Sequence, residues 1–166
     1  MDKEWQFSDG PPPGKLAPSG GTELHEVGER GASISFGVEI PFVSHLGFEL
    51  EKFEAGESAI GYTPKPEHLN SFAVTHGGAI MTLMDVTMAA AARSVQADMG
   101  VVTIEMKTSF MQPAPGNGIR LTAKGRLIHR TVTLAFTEAT LFDARGKACA
   151  HATGTRSEER RVGKEC

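Results

Sequence analysis

One acidic side chain stands in the most apolar helix-forming segment of the sequence. Between His76 and Arg93 the only charged residue is Asp85, and its neighbours are methionine, leucine, valine and alanine. Burial of an ionised carboxylate costs free energy unless the group is paired or hydrogen-bonded, and such groups cluster at active sites. Asp85 is therefore a candidate general base or nucleophile. The structural alternatives are an exposed helix edge or a hydrogen bond to a strand.

The start of the same helix offers a second chemical feature. His76, Gly77 and Gly78 precede the apolar run, and Asn70 lies six residues before His76. The first N–H groups of a helix lack intrahelical acceptors, and they can stabilise an anion or a developing oxyanion. Asn70 would add an amide donor. Taken singly, the two glycines and Asn70 are also typical of tight turns.

Several other chemistries are excluded by missing patterns. The sequence contains neither G-x-S-x-G nor the phosphate-binding G-x-x-x-x-G-K-[ST] and G-x-G-x-x-G motifs. Its six histidines form no H-x-x-x-H or H-x-H pair, so we predict no metal site and no cofactor.

Composition narrows the class of protein further. The chain has 166 residues and a net charge of −3. A nucleic-acid binder is expected to have an excess of basic residues, which this chain does not have. No apolar run approaches the roughly 18 residues of a membrane span. Two cysteines cannot form a disulfide framework, so we expect a reducing, cytoplasmic location.

The predicted elements form an α+β domain. A helix from Gly77 to about Ser94 carries apolar residues on nearly every face, so it should be buried all round. Alternating or β-prone segments predict strands at residues 47–54, 57–63, 101–112, 118–129, 132–142 and 147–155. A helix this apolar requires a sheet wrapped around it.

The ends of the chain differ from this domain. Residues 1–40 hold 7 of the 19 glycines and 4 of the 9 prolines, which predicts a flexible N-terminal arm. The domain is expected to span residues 41–155. The last residues, ending SEERRVGKEC, continue no apolar alternation and resemble a translated sequencing-adaptor or vector tail. We therefore expect residues 156–166 to be a non-native tail.

The segment from Asn70 to Asp85 resembles the active-site segment of PaaI-type hotdog-fold acyl-CoA thioesterases. It matches the pattern N-x5-H-G-G-x6-D at every fixed position. Phe110-Met-Gln-Pro-Ala114 resembles the F-M-x-P-A strand end of that family, and residues 134–136 its L-A-F strand. The resemblance covers about residues 41–155.

The resemblance implies a hotdog fold, with five or six antiparallel strands around the central helix. It also implies a homodimer, often a tetramer, with active sites at the subunit interface. Asp85 would activate water or attack an acyl-CoA thioester, while the Gly77 N–H and Asn70 polarise the carbonyl. Thr103 would position the water, and His76 would support the site.

Four further residues would contact the substrate in this interpretation. They are Gly78, Met81, Met111 and Arg130, the last as a cation for the CoA phosphates. Met81, like Met84 and Met88, would form an adaptable wall of the acyl channel, although a plain core role is the more common one for methionines on such a helix. Two other functions stay open: a hotdog module that binds acyl-CoA without turnover, and a dehydratase of 3-hydroxyacyl thioesters. The acyl group could be aromatic or aliphatic.

Overall fold

The computed structural model describes residues 33–160, with side chains through residue 158. Two α-helices, a 3-10 turn at Pro66–His68 and six strands form the fold. In chain order the helices and strands are α1 (Pro41–Leu46), β1 (Glu49–Glu54), β2 (Glu57–Tyr62), α2 (Gly77–Arg93), β3 (Met99–Phe110), β4 (Leu121–Arg130), β5 (Leu134–Phe142) and β6 (Ala148–Arg160).

The six strands form one antiparallel sheet in the order β1-β2-β4-β5-β6-β3. The predicted β1–β2 hairpin turns at Ala55 and Gly56, which both have positive φ. Positive φ at both central residues gives a turn whose twist matches that of the flanking strands. Helix α2 packs against the sheet, which confirms the expected α+β fold with a six-stranded sheet around a helix.

Small residues on the sheet let α2 approach the strands closely. Ala123, Ala135 and Ala139 are fully buried, and Gly125 faces Thr87 of the helix. A Cβ built at Gly125 would lie 2.9 Å from the Thr87 Cγ2 atom and 3.0 Å from its carbonyl oxygen. The Ser58 hydroxyl donates a 2.7 Å hydrogen bond to that same carbonyl. This contact fixes the middle of α2, and with it the height of Asp85 above the sheet.

Helix α2 is not buried on every side, contrary to the sequence-based expectation. Gly78 and Met81 are exposed, and Thr82, Asp85 and Val86 are partly exposed. These positions follow the three- and four-residue spacing of one helix face. The apolar composition of the helix therefore exceeds what a single chain can bury.

The last strand also differs from its predicted boundary. We expected the domain to end at residue 155, but β6 continues to Arg160 and pairs with β3 as far as Met99. Arg156 is fully buried and Glu158 nearly so. The first residues of the expected tail are therefore part of the sheet.

Most of the predicted N-terminal arm, residues 1–40, lies outside the described residues. Within the described part, Ile34 pairs with Leu50 of β1, and Phe36 and Ile40 pack against the core. The domain surface thus extends a few residues before position 41.

Candidate active site

Asp85 lies in the middle of α2 with its carboxylate on the partly exposed face. Its side chain is 36% exposed. The Thr103 hydroxyl, on β3, donates a 2.7 Å hydrogen bond to Asp85 Oδ1. A carboxylate that is partly exposed to solvent and oriented by a hydrogen bond can accept a proton or attack a carbon without a large rearrangement.

A buried guanidinium is the second partner of Asp85. Arg156 Nη2 donates 2.8 Å hydrogen bonds to Asp85 Oδ1 and to the Asp85 backbone carbonyl. Arg156 is fully buried, and this burial lowers the pKa of its guanidinium, while the charge of Asp85 opposes that shift. Both recorded bonds to the carboxylate fall on Oδ1, so Oδ2 has no partner among the described residues.

The N-terminus of α2 is capped by a histidine. His76 is the N-cap, and its Nδ1 atom accepts a 2.9 Å hydrogen bond from the Gly78 N–H. Nδ1 must therefore be unprotonated, which makes His76 a structural cap in this geometry. Gly77 is the first helical residue, so its N–H has no intrahelical acceptor and is free to bind an oxyanion.

Asn70 is held in a defined orientation by the loop before α2. Its Oδ1 atom accepts hydrogen bonds from the backbone N–H groups of Phe72 (2.9 Å) and Val74 (3.4 Å). Because the oxygen is occupied by donors, the Nδ2 amide group is left to donate outward. Asn70 and Gly77 line the same cavity of about 590 Å³.

The predicted site residues divide between three surface cavities. Asn70, Gly77 and Met111 line the 590 Å³ cavity, together with Phe110. Asp85, Thr103 and Met81 line a second cavity of about 400 Å³, which α1 borders. His76 and Gly78 line a third of about 360 Å³. One chain therefore brings Asp85 to Thr103 but does not bring it to Asn70 and Gly77.

Arg130 lies away from all three cavities. Its guanidinium pairs with the carboxylate of Glu158, whose side chain is 1% exposed, and also bonds to Gln96. The structure therefore does not bring Arg130 to the predicted site residues. An arginine that forms an ion pair with a buried carboxylate is poorly placed to bind a phosphate.

Sequence reasoning missed two contributors to this region. Phe42 of α1 lines both the Asp85 cavity and the His76 cavity, and no motif indicates it. Arg156 falls within the expected non-native tail, for which the sequence predicts no role. The signal that could have found it is the two-residue alternation of β6, where Ala150, Ala152 and Gly154 face inward and Arg156 is the next inward position.

The described residues contain neither a metal-binding cluster nor a membrane-spanning helix. Within residues 33–160 there is no group of three or more histidine, cysteine, aspartate or glutamate side chains that could hold a metal ion. Over the same residues, no helix has both the length and the apolar character needed to span a membrane.

Comparison with known proteins identifies the family. The sequence model of the thioesterase superfamily matches residues 72–150. A protein of Saccharolobus solfataricus named "Putative esterase SSO2140" is 31% identical over 110 residues, which are 66% of this chain and 77% of that relative. The chain belongs to the thioesterase superfamily. The general activity of this class is thioester hydrolysis.

Solved structures of other proteins share the fold. The E. coli PaaI protein from the phenylacetic acid degradation operon superposes with a TM-score of 0.67 at 21% identity, over 71% of this chain and 83% of that one. Thioesterase HI1161 from Haemophilus influenzae gives a TM-score of 0.66 at 19% identity, over 75% and 87%. The segment matched to the thioesterase superfamily contains His76, Gly77, Asp85 and Thr103; Asn70 precedes it, and Arg156 follows it.

Proposed function

We propose that the protein hydrolyses acyl-CoA thioesters to a free acid and CoA, with Asp85 as the base or nucleophile. The observation that carries the proposal is the hydrogen-bonded pair of Asp85 and Thr103 beside a cavity whose other lining residues, apart from Thr82, are apolar. Hydrolysis of a thioester needs a base near water and donors for the oxygen that becomes negative. Asp85 supplies the first requirement, and Gly77 with Asn70 supplies the second.

The distance along α2 means that these groups must come from two chains. Gly77 and Asp85 are eight residues apart on one helix, so they are separated by about 12 Å along its axis. A base and an oxyanion donor must both lie within about 3–3.5 Å of the reacting atoms. We therefore propose that Asp85 of one chain acts on a carbonyl bound by Gly77 and Asn70 of a second copy.

An exposed strand edge supports the pairing of two copies. β3 is an edge strand of 12 residues, and it exposes Val102, Ile104 and Phe110. A long apolar edge invites pairing with another chain. Two β3 edges that meet around a two-fold axis would also cover the half-exposed face of α2. This proposal accounts for the apolar surplus of that helix.

The decisive test replaces Asp85 with its uncharged isostere. Asp85→Asn should lower kcat by about a hundredfold or more, the contribution of a positioned general base. Release of free CoA thiol measures the rate over a panel of aromatic and straight-chain acyl-CoAs. Unchanged turnover in the variant would remove Asp85 from the reaction. Tight acyl-CoA binding with no turnover in the unmodified protein would instead favour a binding module.

A second variant separates loss of activity from loss of folding. Asp85→Asn leaves the buried Arg156 without its carboxylate partner, which destabilises a fold more than removal of the whole pair. The double variant Asp85→Asn/Arg156→Met removes both charges and should fold. We expect it to be as inactive as the single variant, with the melting temperature as the control on folding.

A further inference from the structure

Arg156 occupies a buried position in β6 that follows a run of small inward-facing residues and precedes the buried Glu158. The inward-facing residues before it are Ala150, Ala152 and Gly154, all buried against α2 and the sheet. A Cβ at Gly154 would lie 3.0 Å from Arg156 Nη1, so the guanidinium fills space beside that glycine. Arg156 also lies beyond residues 72–150, which match the thioesterase superfamily, and it begins the segment that resembles a foreign tail.

The guanidinium is incompletely paired in this position. Arg156 Nε and Nη1 are buried and have no hydrogen-bond partner among the described residues. Only Nη2 is satisfied, by the carboxylate and the backbone carbonyl of Asp85. A buried charge is stabilising only when its remaining donors are also satisfied. The cost of burying the Arg156 guanidinium is therefore only partly compensated at the point where it touches the candidate catalytic group.

Asp85 does not depend on Arg156 in the same way. Its side chain is 36% exposed, and the Thr103 hydroxyl already bonds to Oδ1. Water and Thr103 can support the carboxylate when the cation is removed. The reaction, by contrast, requires the carboxylate to take up a proton or to form a bond, and either step forfeits the ion pair with Arg156.

We infer that Arg156 restrains Asp85, and that an apolar residue of similar length at position 156 gives a more stable and faster thioesterase. This inference rests on the proposed function of Asp85. It assigns to residue 156 a control over the reactivity of the carboxylate that neither the motif nor the family match indicates.

The test compares three variants of the full chain with the unmodified protein. Arg156→Met removes the charge and keeps a long side chain, Arg156→Lys keeps the charge, and Arg126→Met removes a cation from the exposed surface of β4, where Arg126 pairs with Glu138. Thiol release from a short-chain and an aromatic acyl-CoA gives kcat and KM. Thermal unfolding gives the melting temperature.

For Arg156→Met we expect kcat to rise by about tenfold with KM unchanged. The reason is that the variant no longer has to break a charge-assisted hydrogen bond between Arg156 and Asp85 on the way to the transition state. Its melting temperature should rise by roughly 5 °C. Arg156→Lys should retain the slow rate of the unmodified protein, because the cation stays beside Asp85. Arg126→Met should change neither quantity.

The outcomes separate this inference from the proposed function. If Arg156→Met is as slow as the unmodified protein, or slower, while the unmodified protein hydrolyses acyl-CoA, the inference is overturned and the proposed function stands. If no protein releases thiol, the proposed function fails. In that case a lower melting temperature for Arg156→Met would also show that Arg156 stabilises the fold, which contradicts the inference.

Discussion

The two oxygens of Asp85 have different surroundings, and under the proposed function this difference marks Oδ2 as the reactive atom. Oδ1 accepts hydrogen bonds from Thr103 and Arg156, whereas Oδ2 has no partner among the described residues. Oδ1 anchors the carboxylate, and the proposed reaction would use Oδ2 toward water or a thioester carbon. The family resemblance implied a role for both Asp85 and Thr103, and the structure brings the two side chains together although they are 18 positions apart in the sequence.

A second residue-scale feature is the buried hydroxyl of Tyr62. It lies 2.9 Å from His68 Nδ1, and burial, followed by the charge of Glu67, raises the pKa of Tyr62 from its ordinary value of 10.0 to about 12. The unfolded chain therefore loses this proton at lower pH than the folded chain does. Linkage then requires that the free energy of unfolding falls as pH rises through this interval.

This feature gives a pH prediction. Tyr62 is the only tyrosine of the sequence, so tyrosinate absorbance reports on it alone. The folded protein should titrate near 12, and Tyr62→Phe should show a shallower loss of unfolding free energy between about pH 10 and 12. Titration of the folded protein at the ordinary value would show that the hydroxyl is accessible to solvent.

At the scale of elements, the contact between α2 and β4 sets the position of the candidate site. Gly125 leaves room for the helix, and Ser58 hydrogen-bonds to the Thr87 carbonyl two residues after Asp85. The alternation of residues 118–129 predicts Ile119, Leu121, Ala123 and Leu127 on the inner face. Leu121 and Ala123 are fully buried and Leu127 is partly buried, but Ile119, which precedes β4, is 45% exposed. The short distance between α2 and β4 could not be predicted from the sequence, because it depends on which glycine of the sheet lies opposite which turn of the helix.

Substitution of Gly125 tests this contact. Gly125→Ala would place a methyl group 2.8 Å from the Ser58 hydroxyl and 2.9 Å from Thr87 Cγ2. We expect the free energy of unfolding to fall by about 1–3 kcal/mol, the usual effect of overpacking a core. Denaturant unfolding measures this change. Lys124→Ala, at the exposed neighbouring position, is the control, and an equal loss there would contradict the role given to the α2–β4 contact.

At the scale of the whole molecule, the active site is proposed to be shared between two copies. Asn70 and Gly77 line one cavity, and Asp85 and Thr103 line another. The exposed edge of β3 provides the surface along which two chains could pair. Each dimer would then contain two sites, each built from one Asp85 and one Asn70 of different chains.

Complementation between variants tests the shared site. Asp85→Asn and Asn70→Asp should each be nearly inactive as homodimers; the second keeps the oxygen that Phe72 and Val74 bind and removes the amide donor. A co-expressed, doubly tagged heterodimer contains one site with both native residues. It should show about half the activity of the unmodified dimer. Sites confined to one chain would leave the heterodimer as inactive as its parents.

The sequence by itself determined the α+β class, the β1–β2 hairpin and the boundaries of α2 to within a residue. These features follow from local periodicity and turn chemistry, which are properties of neighbouring residues. Only the tertiary structure decided that Asp85 and Gly77 line separate cavities, and that Arg130 is paired with Glu158. It also decided that Arg156 meets Asp85 across 71 residues. Contacts at such separations depend on strand order, register and helix packing, which no local pattern encodes.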